Sequence, residues 1–190
     1  MTDVLLKQLK ENRCWSAVQP QEINSFIDSH SKGLVPLIKL ATSHEKNFAF
    51  RCTWVLFKGT DKNDHRIKPF LKDLIAGIKN KKSGHQRELI RLILKHDLPI
   101  EHEGEMYNQC VTVWKDLTLQ PGTRYYAFLF LHRLLIKYPE LKNELKYLFT
   151  LGYVKSLSPG IKKSVQKKNP YVSVKVLVGN EGLEPPTSSL

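Results

Sequence analysis

The sequence predicts an all-α protein, a solenoid of about four antiparallel helical hairpins closed by terminal capping helices. Three observations carry this. Apolar residues recur at helical spacing along most of the chain, one five-position stripe appears three times, and its copies lie 35 to 39 residues apart. Ile67, Leu71, Leu74, Ile75 and Ile78 occupy offsets 0, 4, 7, 8 and 11; Met106, Cys110, Val113, Trp114 and Leu117 repeat them, and so do Leu141, Leu145, Leu148, Phe149 and Gly152. Each stripe follows an arginine of the preceding helix, Arg51, Arg87 or Arg124, by 16 to 19 residues, the length of a helix and a turn. An ordinary bundle also produces 3.6-residue offsets. The recurring period is what favours stacked pairs, each burying its stripe on its neighbours.

Residues 2–12 read as a short amphipathic cap on Val4, Leu5 and Leu9. A first hairpin follows, with Ile23, Phe26 and Ile27 on one helix, a turn at Lys32-Gly33, and Leu34, Leu37 and Ile38 on the next. Ser43 is the expected N-cap of a helix over 47–58. There Phe48, Phe50, Cys52, Trp54, Val55 and Leu56 predict burial on most sides. The clearest unit spans 122–152. Its first arm carries Tyr126, Phe130 and Leu134, flanked by Ala127, Leu131 and Leu135. Tyr138-Pro139 closes that arm, because the residue before a proline is pushed out of the helical region. The second arm ends at Gly152, the expected C-terminal stop. Pro159-Gly160 opens a last, basic helix bearing Lys162, Lys163, Lys167 and Lys168.

The solenoid is therefore expected over residues 1–169 and a poorly packed tail over 170–190. Within that tail YVSVKVLV alternates like a strand with no partner, and EGLEPPTSSL resembles read-through into non-coding sequence. An ordinary flexible tail accounts for it equally well.

Lysine and arginine exceed aspartate and glutamate by 30 to 18, giving a net charge of +12 and a pI near 9.6, which favours an anionic partner. Cys14, Cys52 and Cys110 show no C-x-x-C spacing, and the last two fall in apolar stripes. That usage fits a reducing, cytoplasmic compartment. No uninterrupted apolar run is long enough to span a bilayer, so no membrane association is expected.

RCTWVL at Arg51 to Leu56, KYPELKNELK at Lys137 to Lys146 and the basic C-terminal end resemble short bacterial HEAT-like repeat proteins over about residues 20–168. The resemblance implies a right-handed superhelix of antiparallel helix pairs serving as a binding scaffold, with no catalytic residues and no cofactor. Such chains sometimes carry the label adenylosuccinate lyase. That lyase is a much longer chain, and its S-S-x-M-P-x-K-x-N loop has no counterpart in this sequence.

The strongest functional pattern is one of phase. One residue beyond the apolar stripe the second helices present Lys68, Lys72 and Lys79, then Lys115, then Lys142 and Lys146. Aligned from repeat to repeat, these ammonium groups would attract an acidic protein surface or a phosphate backbone. The alternative is that lysines flank any amphipathic stripe by laying their stems across it. Arg51, Arg87 and Arg124 form a second row, either of donors for an anionic partner or of structural bridges to carbonyls in neighbouring turns; their regular spacing favours the bridges.

HDLPIEHEGE, His96 to Glu105, gathers two histidines and four carboxylates without a known ligand spacing, and its acids suit the start of a helix; no metal is expected. HEAT-like scaffolds include DNA glycosylases, for which Trp54, Trp114 and Asp116 would have to share a cleft. Core packing explains both tryptophans more simply. The expected activity is thus non-catalytic binding of a protein partner, with nucleic acid as the alternative.

Overall fold

The computed structural model describes Ile27, Asp28 and residues 34–44, 46–149 and 151–169. The cap expected at 2–12, most of the first hairpin's leading helix and the tail from Pro170 lie outside these residues. Among the described residues there are nine α-helices and no strand. They are α1 (Leu34–Thr42), α2 (Lys46–Gly59), α3 (Leu71–Ala76), α4 (Ser83–Leu94), α5 (Ile100–Lys115), α6 (Pro121–Lys137), α7 (Lys142–Leu148), α8 (Leu151–Val154) and α9 (Pro159–Lys168). Short 3-10 turns, Lys68–Phe70 and Pro139–Leu141, lead into α3 and α7.

The helices stack in two layers. α2, α4, α6 and α9 pack in succession on one side, and α1, α3 and α5 on the other, where α7 continues the row through contacts with α5. Between the layers α1 packs on α2, α3 on α4 and α5 on α6. The result is an all-α solenoid of helix pairs. The expected unit at 122–152 is present, but α6 packs more extensively on α5 than on α7. The tight hairpins therefore close at the turns before α2, α4 and α6.

The first stripe is complete: Ile67, Leu71, Leu74, Ile75 and Ile78 are all fully buried between layers. The second loses its last member. Asp116 ends α5 in an extended conformation and its carboxylate accepts the Thr118 N–H at 2.9 Å, so Leu117 leaves the helical register and is 52% exposed. The third stripe is diluted. Leu145 and Phe149 are buried, but Leu141 and Leu148 are only half-buried. α7 packs on α6 and, through Tyr107 and Trp114, on α5. Gly152 does not act as a stop either, because α7 ends at Leu148 and Gly152 lies inside α8. In α6 the core side chains include Ala127, Phe128, Phe130, Leu131 and Leu134, whereas Tyr126 and Leu135 are half-buried.

The expectation that α2 is buried on most sides is also corrected. Phe48, Cys52, Val55 and Leu56 point into the core, but Phe50, Arg51, Trp54 and Phe57 are only half-buried, Trp54 and Phe57 still packed against the core. Cations lie over part of the aromatic bulk there. Arg91 stacks 4.2 Å from the Phe57 ring centroid, and Lys58 lies 5.7 Å from that of Trp54.

Neighbouring pairs are tied by cations that reach back to the last carbonyls of the preceding unit, where helix ends lack acceptors' partners. Lys81 donates to Thr42 O at 2.9 Å and to Ser43 O. Lys95 donates to Phe57 O at 2.9 Å and to Thr60 O. Arg133 donates to Leu94 O and His96 O, both at 3.3 Å. Burial holds the pKa of Lys81, Lys95 and Arg133 below their ordinary values. Gly77 sits where α1 meets α3 closely: a Cβ there would stand 3.0 Å from the Thr42 methyl, which would have to shift.

Candidate binding surfaces

The arginine row divides. Arg124 is 1% exposed; its Nε donates to Trp114 O at 2.9 Å and its two terminal nitrogens to Ser156 Oγ and Tyr153 O, each at 2.6 Å. It is the structural bridge that the spacing favoured, and burial lowers its pKa. Arg87 is not equivalent. Half-exposed, it donates through Nε to Glu88 at 2.9 Å, a fully buried carboxylate that also holds Arg91 at 2.8 Å. Arg51 lies half-buried on α2.

All six lysines of the expected strip are exposed, but the topology does not bring them to one place. Because α1, α3, α5 and α7 run parallel, their C-terminal ends share one edge of the solenoid and their N-terminal ends the other. Tyr107 donating to Glu144 at 2.5 Å and Trp114 Nε1 donating to Leu148 O at 2.5 Å confirm this register between α5 and α7. Lys79, Lys115 and Lys146 lie at the C-terminal edge. Lys68 and Lys142 lie at the N-terminal edge, and Lys72 stands in the first turns of α3 between them.

The two edges differ in charge. The N-terminal edge is mixed in sign: Asp61, Asp64, Asp97, Glu101, Glu103 and Glu105 stand among Lys62, Arg66, Lys95 and Lys137, with Lys68 lining a cavity beside Asp64 and Asp97. Arg66 holds the Asp64 carboxyl below the usual carboxylate range, and Lys137 pairs with Glu103 at 2.7 Å. At the C-terminal edge Lys79, Lys115 and Lys146 are joined by three lysines outside the expected strip, Lys39, Lys81 and Lys82. Among the described residues that edge carries two carboxylates: Asp73, beside Lys39 and Lys79, and Asp116, which is engaged by the Thr118 amide and hydroxyl at 2.9 and 2.6 Å. Lys39 was detectable by the phase rule itself. It follows buried Ile38 as Lys79 follows Ile78, Lys115 follows Trp114 and Lys146 follows Leu145.

The other sequence candidates separate. α5 begins at Ile100, so Glu101 and Glu103 sit in its first turn, where they complement the helix dipole. Among the described residues no cluster of histidine, cysteine, aspartate and glutamate can hold a metal ion. Trp114 is fully buried between layers, Trp54 is half-buried against the core on α2, and Asp116 is held in its own turn. They share no cleft. Among the described residues no helix is long and apolar enough to cross a membrane.

Two stacked layers of antiparallel helices, tied pair to pair by cations on backbone carbonyls, define an α-solenoid repeat protein. The chain matches the family model described as HEAT repeat domain over residues 6–169 and belongs to that family. No curated protein matches it, and no solved structure does.

Proposed function

We propose that this solenoid is a non-catalytic scaffold that binds an acidic protein surface along the edge bearing Lys39, Lys79, Lys115 and Lys146. The observation that carries the reading is the excess of lysine at one edge. Lysines repeat there at the ends of four parallel helices with few acids among them, while on the other edge cations and acids are mixed. A predominantly basic strip of this kind steers an oppositely charged partner and fixes its orientation. HEAT repeats commonly serve as protein-interaction scaffolds, which favours a protein partner over nucleic acid.

The test is capture from native extract by wild-type protein and by the Lys79→Glu, Lys115→Glu, Lys146→Glu variant, each with and without nuclease. The expected result is a set of proteins retained through nuclease treatment, released by moderate salt and lost from the variant. Unchanged capture by the variant would refute the reading. Loss on nuclease treatment would transfer the edge to a polynucleotide.

A further inference from the structure

At the first pair the basic edge is a cavity as well as a surface. Between α1 and α3 lies a recess of about 340 Å³ whose walls include buried Ile38, half-buried Phe70 and exposed Ala76, with Lys39, Lys79 and Asp73 around it. The two lysine ammonium groups make no ion pair with described residues. Lys81, also beside the recess, is committed to the carbonyls of Thr42 and Ser43 and so fixes its end wall. The two other helix-end positions, at Lys115 and Lys146, offer lysines, but this one adds an apolar floor.

We propose that this recess is the anchor point of the partner, taking one leucine- or phenylalanine-sized side chain from an acidic segment whose flanking carboxylates reach Lys39 and Lys79. This rests on the basic-edge reading and names the chemistry of its ligand. Three features select a peptide. Its size suits a single side chain or small-ligand group. Ile38, Phe70 and Ala76 reward removal of an apolar group from water, which a phosphate backbone cannot supply. Asp73 repels carboxylate and phosphate alike, but it accepts a hydrogen bond from a peptide N–H, which a phosphodiester backbone lacks. Charge then provides attraction and the pocket provides register.

Fluorescence anisotropy with two short, labelled, Asp/Glu-rich peptides differing only in a central Phe or Ser tests the proposal. Wild-type protein is expected to bind the Phe peptide at least tenfold more tightly. Ala76→Trp, which fills the recess from an exposed position, should abolish that preference while leaving Ser-peptide affinity unchanged. Ala76→Leu serves the same purpose should the tryptophan variant fail to show native helix content and melting temperature. Lys39→Glu with Lys79→Glu should weaken both peptides. Equal affinity for the two peptides, or a preference that survives filling of the recess, would overturn the anchor while leaving the basic edge standing. Charge reversal without effect, no binding of either peptide, or displacement of the Phe peptide by single-stranded RNA of equal charge at equal concentration would also overturn it.

Discussion

Replacing Arg124 by Met separates a structural arginine from a surface one. The substitution keeps side-chain length but removes the donors that reach Trp114 O, Ser156 Oγ and Tyr153 O from a site 1% exposed. Of its side-chain donors Tyr153 O retains the distant Ser156 hydroxyl at 3.4 Å, and the cation over the Trp114 ring at 5.0 Å is lost. Two poorly satisfied buried carbonyls cost about 1–3 kcal/mol each, partly offset because a desolvated guanidinium is no longer buried. The net loss is roughly 3 kcal/mol, a large share of the 5–15 kcal/mol typical of a domain. Arg87→Met should cost no more than about 1 kcal/mol, because Arg87 is half-exposed and its partner Glu88 keeps Arg91. Urea unfolding of both variants measures the contrast. With a slope near 2 kcal/mol per molar, Arg124→Met moves the midpoint by about 1.5 M. Losses for the two variants equal to within about 0.5 kcal/mol would refute the division of the row.

Stability should fall in mild acid. His85 is buried with Nε2 at 2.9 Å from Ala41 O and 3.0 Å from Thr53 Oγ1, whose own hydrogen goes to Ala49 O; burial pushes its pKa down to about 4. The unfolded chain, with a value near 6.5, binds the extra proton, so this contribution is complete above about pH 6.5 and is lost as pH falls toward 4. It amounts to roughly 3 kcal/mol at most, and the buried, similarly lowered His96 adds in the same direction. Urea melts at pH 7.5 and 4.5 read it, and His85→Gln should shrink the difference. Glu88→Gln removes the buried anion that fixes Arg87 and Arg91 and holds Arg91 against Phe57 and Tyr126. It should cost about 2 kcal/mol by the same assay, against almost nothing for exposed Glu101→Gln. Cys52 and Cys110 are fully buried, and burial pushes the Cys110 thiol up. Iodoacetamide at pH 8 should therefore label them only on the timescale of unfolding, as mass spectrometry of digested protein will show.

What could be read in advance, and what could not, follows from the range of each interaction. The stripe from Ile67 to Ile78 was readable because burial of a helix face depends on local period alone, and all five residues are buried. Leu117 failed because a helix end depends on a side chain outside the stripe, here Asp116. Trp54 failed for a different reason. A half-buried aromatic and a fully buried one look alike in composition, and the cation over Trp54, Lys58, lies one turn further along its own helix. Arg87 and Arg124 occupy matching positions, yet an acid, Glu88, follows the first and an aromatic, Tyr125, follows the second. Spacing alone could not distinguish a carboxylate partner from a carbonyl two helices away.

The charge of the two edges needed one further step that periodicity does contain. In a chain of antiparallel helices every second turn lies at the same end. Turns after α2 and α4 hold Asp61, Asp64 and Asp97 beside Lys62, Arg66 and Lys95, whereas the turn after α3 holds Lys79, Lys81 and Lys82 and no acid. Sorting charges by turn parity, rather than by distance from the apolar stripe, divides Lys79, Lys115 and Lys146 from Lys68 and Lys142. It also brings in Lys39, whose helix lacks the five-position stripe but ends at the same edge. A strip of six lysines along one face and a row of four at one edge make different demands on a partner. The row lies across the helix ends beside an apolar recess, so it favours an extended acidic segment running from pair to pair. Each helix pair then supplies one cation, and the spacing between successive pairs sets the spacing of the carboxylates that it can hold.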